Sequence, residues 1–99
     1  MEHFNHLTPA QAERLALLLE EMGETQHIIG KILRHGYESH NPFDTAKRTN
    51  RELLERELGD VVHAVERMCD EGDLQDDKIK ASADIKSATV GRWLHHQIR

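Results

Sequence analysis

The chain has 99 residues and a formal net charge of −5 at pH 7, with 37% hydrophobic residues and one cysteine. This length corresponds to one small domain, and the acidic balance argues against a nucleic-acid polymer as the main partner. A single cysteine excludes a disulfide within the chain, and the sequence contains neither a signal peptide nor an apolar run of membrane length. We therefore expect one cytoplasmic domain over residues 1–99 that has no membrane partner.

The first predicted helix begins at a capping box. Thr8 is the expected N-cap, Pro9 the first helical residue, and Gln11 the residue whose side chain returns to the cap. Apolar residues at helical spacing continue to Leu33, and Gly36 suits the left-handed conformation that ends many helices. The helix would contain about 27 residues and would be roughly 40 Å long.

Two further helices are predicted after a polar connection at residues 36–49. A second capping box at Thr49 and Glu52 begins a helix that ends near Gly72, and a weaker pattern predicts a third helix that reaches Gln97. The expected buried line of the third helix comprises Ile79, Ala83, Val90, Trp93 and Leu94. Three helices without a strand pattern predict an all-α fold.

The two long helices share a short acidic pattern, which reads EMGE at 21–24 and ELGD at 57–60. Residues three positions apart lie on one face of a helix, so each copy supplies half of a possible four-carboxylate cluster. Gly23 and Gly59 also repeat in register. Because glycine within a helix costs about 1 kcal/mol, their recurrence predicts a close approach of two backbones.

The helical phase of these acids suggests that they are not ordinary surface residues. At about 100° per residue, Glu21 and Glu57 fall within the apolar arcs of their helices, and Glu24 and Asp60 lie at the borders. A carboxylate in apolar surroundings is unfavourable unless it is paired or bound to a metal. No Lys or Arg stands three or four positions from Glu21.

The apolar arcs are too long to be covered within so small a chain. Their expected buried residues are Leu15, Leu18, Met22, Ile29, Ile32, Leu33, Leu54, Leu58, Val61, Val65 and Met68. Long antiparallel helices with open apolar faces predict a core of the four-helix-bundle type that a second copy completes by two-fold symmetry.

Four converging carboxylates would repel one another without a counter-charge, and all-oxygen ligands select hard cations such as Mg²⁺ or Mn²⁺. We expect the metal ligands to be Glu21, Glu24, Glu57 and Asp60. Mg²⁺ keeps positions open for water and phosphate, so a phosphoanhydride is the natural substrate class. Glu20 and Glu24 are the candidates for activating water.

Two cations follow the acids on the first helix. Lys31 lies two turns after Glu24 and nearly in line with it, and Arg34 lies beyond. They are candidates for binding substrate phosphate. Acidic residues followed by basic residues on one face of a helix could bind a metal ion and, beside it, a phosphate group. A favourable interaction of these two positive charges with the negative C-terminal end of the helix dipole explains their positions equally well.

The acids resemble the E-E-x-x-E and E-x-x-D signature of the MazG-like all-α nucleoside triphosphate pyrophosphohydrolases. The match runs from Glu20 to Glu24 and from Glu57 to Asp60, within a similarity that covers about residues 13–70. The resemblance implies Mg²⁺-dependent hydrolysis of a (deoxy)nucleoside triphosphate to the monophosphate and pyrophosphate, by homodimers or tetramers built as four-helix bundles. It also implies that Glu20 binds the metal or orients water. The connection between the motifs is longer than in most members, which leaves the base preference open.

Three other interpretations remain open at this stage. Phosphoribosyl-ATP pyrophosphohydrolase, in the same superfamily, uses similar acids. A di-iron carboxylate bundle would use Glu24 with His27 and Asp60 with His63, although both histidines fall roughly 160° from the apolar stripes and should face solvent. The third interpretation is a helical module that binds a protein partner without catalysis.

Overall fold

The computed structural model describes residues 4–97 and contains three α-helices. These are α1 (Pro9–His35), α2 (Asn50–Asp70) and α3 (Asp76–Thr89), and a 3-10 turn at Val90–Trp93 follows α3. No strand occurs within the described residues, so the predicted all-α class is confirmed. None of these helices combines the length and the apolar content that crossing a bilayer requires.

Both long helices begin at the capping boxes that the sequence predicts. The Thr8 hydroxyl accepts a hydrogen bond from the Gln11 N–H at 3.1 Å, and the Thr8 N–H donates to the Gln11 side chain at 2.9 Å. Thr49 and Glu52 repeat the arrangement at the start of α2, with distances of 3.1 and 3.2 Å. Each box satisfies N–H groups that a helix start otherwise leaves without partners.

The helices α1 and α2 form an antiparallel hairpin whose two ends are joined by side chains. Near the connecting loop, the Asn50 amide donates to the Gly36 carbonyl oxygen at 3.2 Å. At the opposite end, the Arg14 guanidinium pairs with the Asp73 carboxylate, and its Nη2 atom lies 2.9 Å from Oδ1. The EMGE segment of α1 and the ELGD segment of α2 therefore lie side by side.

The contact between the two helices, called here the α1–α2 seam, follows a regular spacing. On α1 the seam positions are 18, 21, 25, 28 and 32, with intervals of three and four residues, which is the spacing of packed helix pairs. The buried side chains of the seam are Thr25, Ile28, Asn50, Ala64 and Met68. Glu21 and Glu57 are half-buried in the same seam.

Part of the predicted apolar core is exposed. A second face of the hairpin, called here the outer apolar face, comprises Leu15, Leu19, Met22, Ile29, Leu33, Leu58 and Val62, whose exposed fractions run from 42% to 83%. Leu15, Met22, Ile29, Leu33 and Leu58 are thus not buried within the single chain, and their burial by a second copy stays a prediction. Two helices bury only the residues of one seam, and an apolar arc wider than that seam is left uncovered.

The third helix is shorter and more exposed than the pattern predicts. It ends at Thr89 rather than Gln97, and the chain is extended at Leu94. Of its expected buried line only Val90 is half-buried, whereas Trp93 is 72% exposed, so the interpretation of Trp93 as a core residue is wrong. The reason is that α3 does not pack along the hairpin, and the only element that it contacts substantially within residues 4–97 is the 3-10 turn that continues it in the chain.

The two repeated glycines do not bring backbones together within the chain. A Cβ atom placed on Gly23 or Gly59 would meet nothing within 4 Å. Both residues are exposed, and the most buried residues of the seam are instead Ala64 and Met68. The expected close approach is therefore wrong within this hairpin.

The connecting loop is ordered by its own side chains. The Asp44 carboxylate accepts hydrogen bonds from the N–H groups of Ala46 and Arg48, both at 3.1 Å, and pairs with the Arg48 guanidinium. These contacts with Arg48 lower the pKa of Asp44 to about 2. An isolated antiparallel bridge between His40 and Thr49 closes the loop in front of α2.

Candidate metal centre

Three of the predicted metal ligands meet in the α1–α2 seam. Glu21 on α1 and Glu57 and Asp60 on α2 each offer a carboxylate oxygen, and these three oxygens lie within 4.8 Å of one another. The group is called here the acidic cluster. It forms because the antiparallel hairpin sets the middle of α1 beside the middle of α2, with the acids on the facing sides.

Two oxygens of the cluster are buried without a hydrogen-bond partner. They are Oε2 of Glu21 and Oε2 of Glu57. Buried polar atoms in folded proteins nearly always have a partner, and an unpartnered carboxylate oxygen is among the most unfavourable exceptions. A donor set made only of carboxylate oxygens, two of them in this state, fits a hard divalent cation.

The surroundings of Glu21 oppose its ionisation. Burial is the largest cause of its raised pKa, and the negative charges of Glu24, Asp60, Glu57 and Glu20 raise the pKa further. All of these effects act in the same direction. Without a counter-ion the site therefore makes ionisation of Glu21 less favourable than it is in water.

The pKa of Glu57 is raised for related reasons. Burial is again the largest cause, and the approach of the Glu24 carboxyl group and the negative charges of Glu24 and Asp60 raise the pKa further. The positive charge of the neighbouring Arg56 acts in the opposite direction and is the smallest of these effects. Without a counter-ion, the acids around Glu57 therefore oppose its ionisation.

The remaining predicted acids lie around the cluster rather than within it. Glu24 is exposed and reaches Glu57, but it does not belong to the group of three whose oxygens are mutually close. Glu20 is exposed as well, and its charge acts on Glu21 more weakly than those of the other acids. The structure thus assembles Glu21, Glu57 and Asp60, with Glu24 and Glu20 at the rim.

The histidines of the di-iron interpretation lie elsewhere. His27 and His63 are both exposed, as their helical phase predicts. Neither belongs to the group of metal-ligating side chains found within residues 4–97. The arrangement therefore lacks the nitrogen ligands that a di-iron carboxylate bundle takes from its Glu-x-x-His motifs.

The predicted phosphate-binding cations line a pocket at the loop end of the hairpin. Lys31 is half-buried there and Arg34 is exposed, next to residues of the connecting loop. Lys31 follows Glu24 by seven residues, which corresponds to a rise of about 10 Å along α1. The pocket and the acidic cluster are therefore separate features of one hairpin.

Thr25 also belongs to the site, although it lies outside the acidic motifs. It is 8% exposed, and its hydroxyl donates to the Glu21 carbonyl oxygen at 2.8 Å. Thr25 fills the seam one turn after Glu21 and so supports the backbone that carries the carboxylate. The spacing of Leu18, Glu21 and Ile28 in the sequence could have identified Thr25, because it places residue 25 on the same face of α1 as those residues.

Comparison of the chain with known protein families, with curated proteins and with solved structures finds no match.

Proposed function

We propose that this protein hydrolyses a (deoxy)nucleoside triphosphate to the monophosphate and pyrophosphate with the help of Mg²⁺. The observation that carries the proposal is the acidic cluster, in which Glu21 and Glu57 each keep a buried carboxylate oxygen without a partner. The resemblance of the two acidic motifs to the MazG-like pyrophosphohydrolases supports the choice of substrate.

The residues that would hold the cation are Glu21, Glu57 and Asp60, with Glu24 beside them. When bound at these carboxylates, Mg²⁺, or Mn²⁺ in its place, would supply positive charge to neutralise phosphate oxygens and the charge of a leaving pyrophosphate. The half-buried position of Glu21 and Glu57 restricts the access of bulk water to this region and so strengthens electrostatic interactions there.

The exposed acids at the rim of the cluster, Glu20 and Glu24, are the candidates for accepting the proton that the attacking water loses. In the reaction a water oxygen bonds to the α-phosphorus, the bond from that phosphorus to the bridging oxygen breaks, and pyrophosphate leaves with the electron pair. Glu20 or Glu24 would accept the proton that the water loses. Lys31 and Arg34, beyond the cluster on α1, are the cations that this face offers to substrate phosphate.

We also propose that the chain functions as a cytosolic homo-oligomer whose paired hairpins form a four-helix bundle. The outer apolar face supports this, because contiguous exposed apolar surface usually marks an interaction site. None of the large side chains in the described part of the chain is fully buried, which is unusual for an independent domain. A second hairpin would supply the missing half of the core.

A pyrophosphate-release assay with the eight common (deoxy)nucleoside triphosphates tests the enzymatic proposal. Release should require Mg²⁺ and should fall at least about 100-fold in Glu57→Gln and Asp60→Asn, since each removes a ligand charge. Glu55→Gln is the matched control, because Glu55 is an exposed acid on the same helix outside the cluster.

Metal binding should also be visible without substrate. Excess Mg²⁺ should raise the melting temperature of the wild-type chain, because a ligand that binds only the folded state stabilises it. The shift should disappear in Glu57→Gln. If the wild-type protein neither releases pyrophosphate nor responds to Mg²⁺, the proposal is wrong.

A further inference from the structure

The end of the hairpin that lies opposite the connecting loop, called here the open end, contains a pocket of about 180 Å³. The pocket lies between the first turns of α1, the last turn of α2 and the link to α3, and it is called here the open-end pocket. Its lining is mainly apolar and comprises Leu7, Gln11, Leu15, Met68, Asp73 and Leu74. Because Leu15 also belongs to the outer apolar face, the pocket continues that face at one end.

The other end of the outer apolar face carries a protruding side chain. Leu33, in the last turn of α1, is 83% exposed and is the most exposed residue of this face. Leu15 and Leu33 are separated by 18 residues, which correspond to five full turns and a rise of about 27 Å. An exposed leucine and an apolar pocket therefore lie at the two ends of one line along α1.

An antiparallel second copy would bring these two features together. If the partner lies across the outer apolar face in the opposite direction, the partner's Leu33 falls at the open-end pocket, and two-fold symmetry fills the partner's pocket in the same way. The same register sets Leu19 against the partner's Ile29, and both positions belong to the outer apolar face. A parallel pair would instead place leucine 33 against leucine 33 and pocket against pocket.

The charges at the two ends of the hairpin also favour the antiparallel arrangement. Residues 31–51, at the loop end, contain five lysines and arginines and two acids, which gives a formal net charge of +3. Residues 66–77, at the open end, contain six acids and one arginine, which gives −5. An antiparallel pair brings opposite charges together twice, whereas a parallel pair brings like charges together.

Several of these end charges have no partner within the single chain. Lys31, Arg34 and Lys47 at the loop end form no ion pair anywhere in residues 4–97. The same is true of Glu66 and Asp70 at the open end of the described chain. These charges are therefore available to a second copy.

Two glycines leave room for a neighbouring helix on this side of α1. Gly23 follows Leu19 by four residues and Gly30 precedes Leu33 by three, so all four residues lie along one side of the helix. A Cβ atom placed on either glycine would meet nothing within 4 Å. The close backbone approach that Gly23 predicts would then occur between two copies rather than within one.

We propose that two copies pair in antiparallel orientation across the outer apolar face, with Leu33 of each copy seated in the open-end pocket of the other. The inference rests on the homo-oligomer proposed above and assigns its orientation and its end contacts. The loop end of one copy then lies against the link between α2 and α3 of its partner.

Cysteine cross-linking between differently labelled chains tests the orientation. Leu15→Cys and Leu33→Cys are made in separate chains, each with Cys69→Ala to remove the native thiol. When the two chains are mixed and oxidised, the disulfide between positions 15 and 33 should form at least about 10-fold faster than a disulfide in either chain alone, because only that pair is held within bonding distance. Mass spectrometry of the linked peptides identifies the pairs.

Ile85→Cys in the same background is the matched control. Ile85 is 67% exposed and lies on α3, which does not pack along the hairpin. It should cross-link to Leu15→Cys only at the rate of random collision. The Cys69→Ala chain should sediment as the wild type does.

Charged substitutions at position 33 give a second test that does not use disulfides. Leu33→Lys and Leu33→Glu both lose the leucine, but the antiparallel arrangement places position 33 beside the acidic open end of the partner. Leu33→Lys should therefore self-associate about 10-fold or more tightly than Leu33→Glu in sedimentation experiments. Ile85→Lys and Ile85→Glu change the net charge equally and should differ less.

Four results would overturn the inference. Leu33→Cys that cross-links mainly to itself indicates a parallel pair, and Ile85→Cys that links to Leu15→Cys indicates that α3 of the partner fills the pocket. The third result is an oligomeric wild type without cross-linking above the control, and the fourth is tighter association of Leu33→Glu than of Leu33→Lys. A wild type that is always monomeric refutes the homo-oligomer and this inference together, whereas the pyrophosphate-release assay tests the reaction separately.

Discussion

Glu21 and Glu57 should make the stability of the metal-free protein depend on pH. Burial raises the pKa of both carboxyl groups above the ordinary value of 4.5. Between that value and the raised pKa, the folded chain binds more protons than the unfolded chain. The free energy of unfolding of the metal-free protein therefore falls as the pH rises through this window.

Asp73 has the opposite effect at lower pH. The hydrogen bond from Arg14 is the main reason that the pKa of Asp73 lies below its ordinary value of 3.8. The stability that this ion pair contributes is present above pH 3.8 and is lost as the pH falls through the lowered pKa. The contributions of the acidic cluster and of this pair thus fall in separate pH windows.

A neutral side chain at position 57 should stabilise the metal-free protein near neutral pH. With EDTA present at pH 7, Glu57→Gln should melt at a higher temperature than the wild type, because it removes one charge from a group of repelling carboxylates. Near pH 4 the two proteins should melt alike, since the wild-type carboxyl is then protonated. Thermal melts followed by circular dichroism between pH 4 and 7 measure the difference.

Glu55→Gln provides the control for this experiment. Glu55 is exposed and lies outside the acidic cluster, so the same chemical change there should leave the melting temperature nearly unchanged at both pH values. A lower melting temperature for Glu57→Gln at pH 7 would contradict the electrostatic account of the cluster.

The convergence of these acids could be predicted because it depends on local periodicity. Residues 21 and 57 fall within the apolar arcs of helices whose ends are marked by capping boxes, and those boxes are confirmed. The position of Glu24 could not be predicted in the same way. It lies at the border of the arc, where a small rotation of the helix decides between the cluster and the rim.

At the level of elements, the three helices differ in how they are stabilised. The capping boxes of α1 and α2 are complete, and both helices bury residues in the seam. The helix α3 has no side-chain hydrogen bond at its N-cap residue, Gln75, and it buries none of its residues. A helix of 14 residues with neither feature is only marginally stable in water.

Hydrogen exchange should therefore separate α3 from the hairpin. Amides of α3 should exchange much faster than the amides of α1 and α2 near Thr25 and Ala64, because local opening of α3 exposes almost no apolar surface. Exchange measured by mass spectrometry on peptides from residues 76–89 and 57–68 gives the comparison. Equal protection in the two regions would show that α3 is held by contacts beyond those of the single chain.

The end of α3 illustrates what the sequence pattern does not contain. Ile79, Ala83 and Val90 recur at helical spacing, but the pattern does not indicate whether a surface exists for them to pack on. Because the hairpin does not provide that surface in the single chain, the apolar line is exposed and the helix ends at Thr89.

At the level of the whole molecule, the main feature is the imbalance between the seam and the outer apolar face. The buried hydrophobic side chains of the described chain are only Ile28, Ala64 and Met68. The apolar arcs were predictable from periodicity, but their division between a seam and an open face was not. That division depends on where the second helix lies, which periodicity does not specify.

Polar substitutions on the outer apolar face should dissociate the proposed oligomer. Leu19 is 73% exposed and Val62 is 54% exposed, so Leu19→Gln/Val62→Gln should leave the seam intact. Losing the burial of two aliphatic side chains on each copy should weaken self-association by at least about 100-fold, as measured by sedimentation velocity over a range of concentrations.

Ile85→Gln is the matched control, since Ile85 is an aliphatic residue of α3 that is 67% exposed and lies away from the hairpin face. It should sediment as the wild type does. A wild-type chain that sediments as a monomer at every concentration would contradict the proposed bundle.

The outer apolar face also has a consequence for how much active protein a cell contains. Pairing of two copies is second-order in their concentration, so a newly made chain at low abundance would spend longer with this face open to water. Such chains are the form that chaperones retain and proteases degrade. Activity in the cell would then rise more steeply than synthesis, up to the square of the expression level for a dimer.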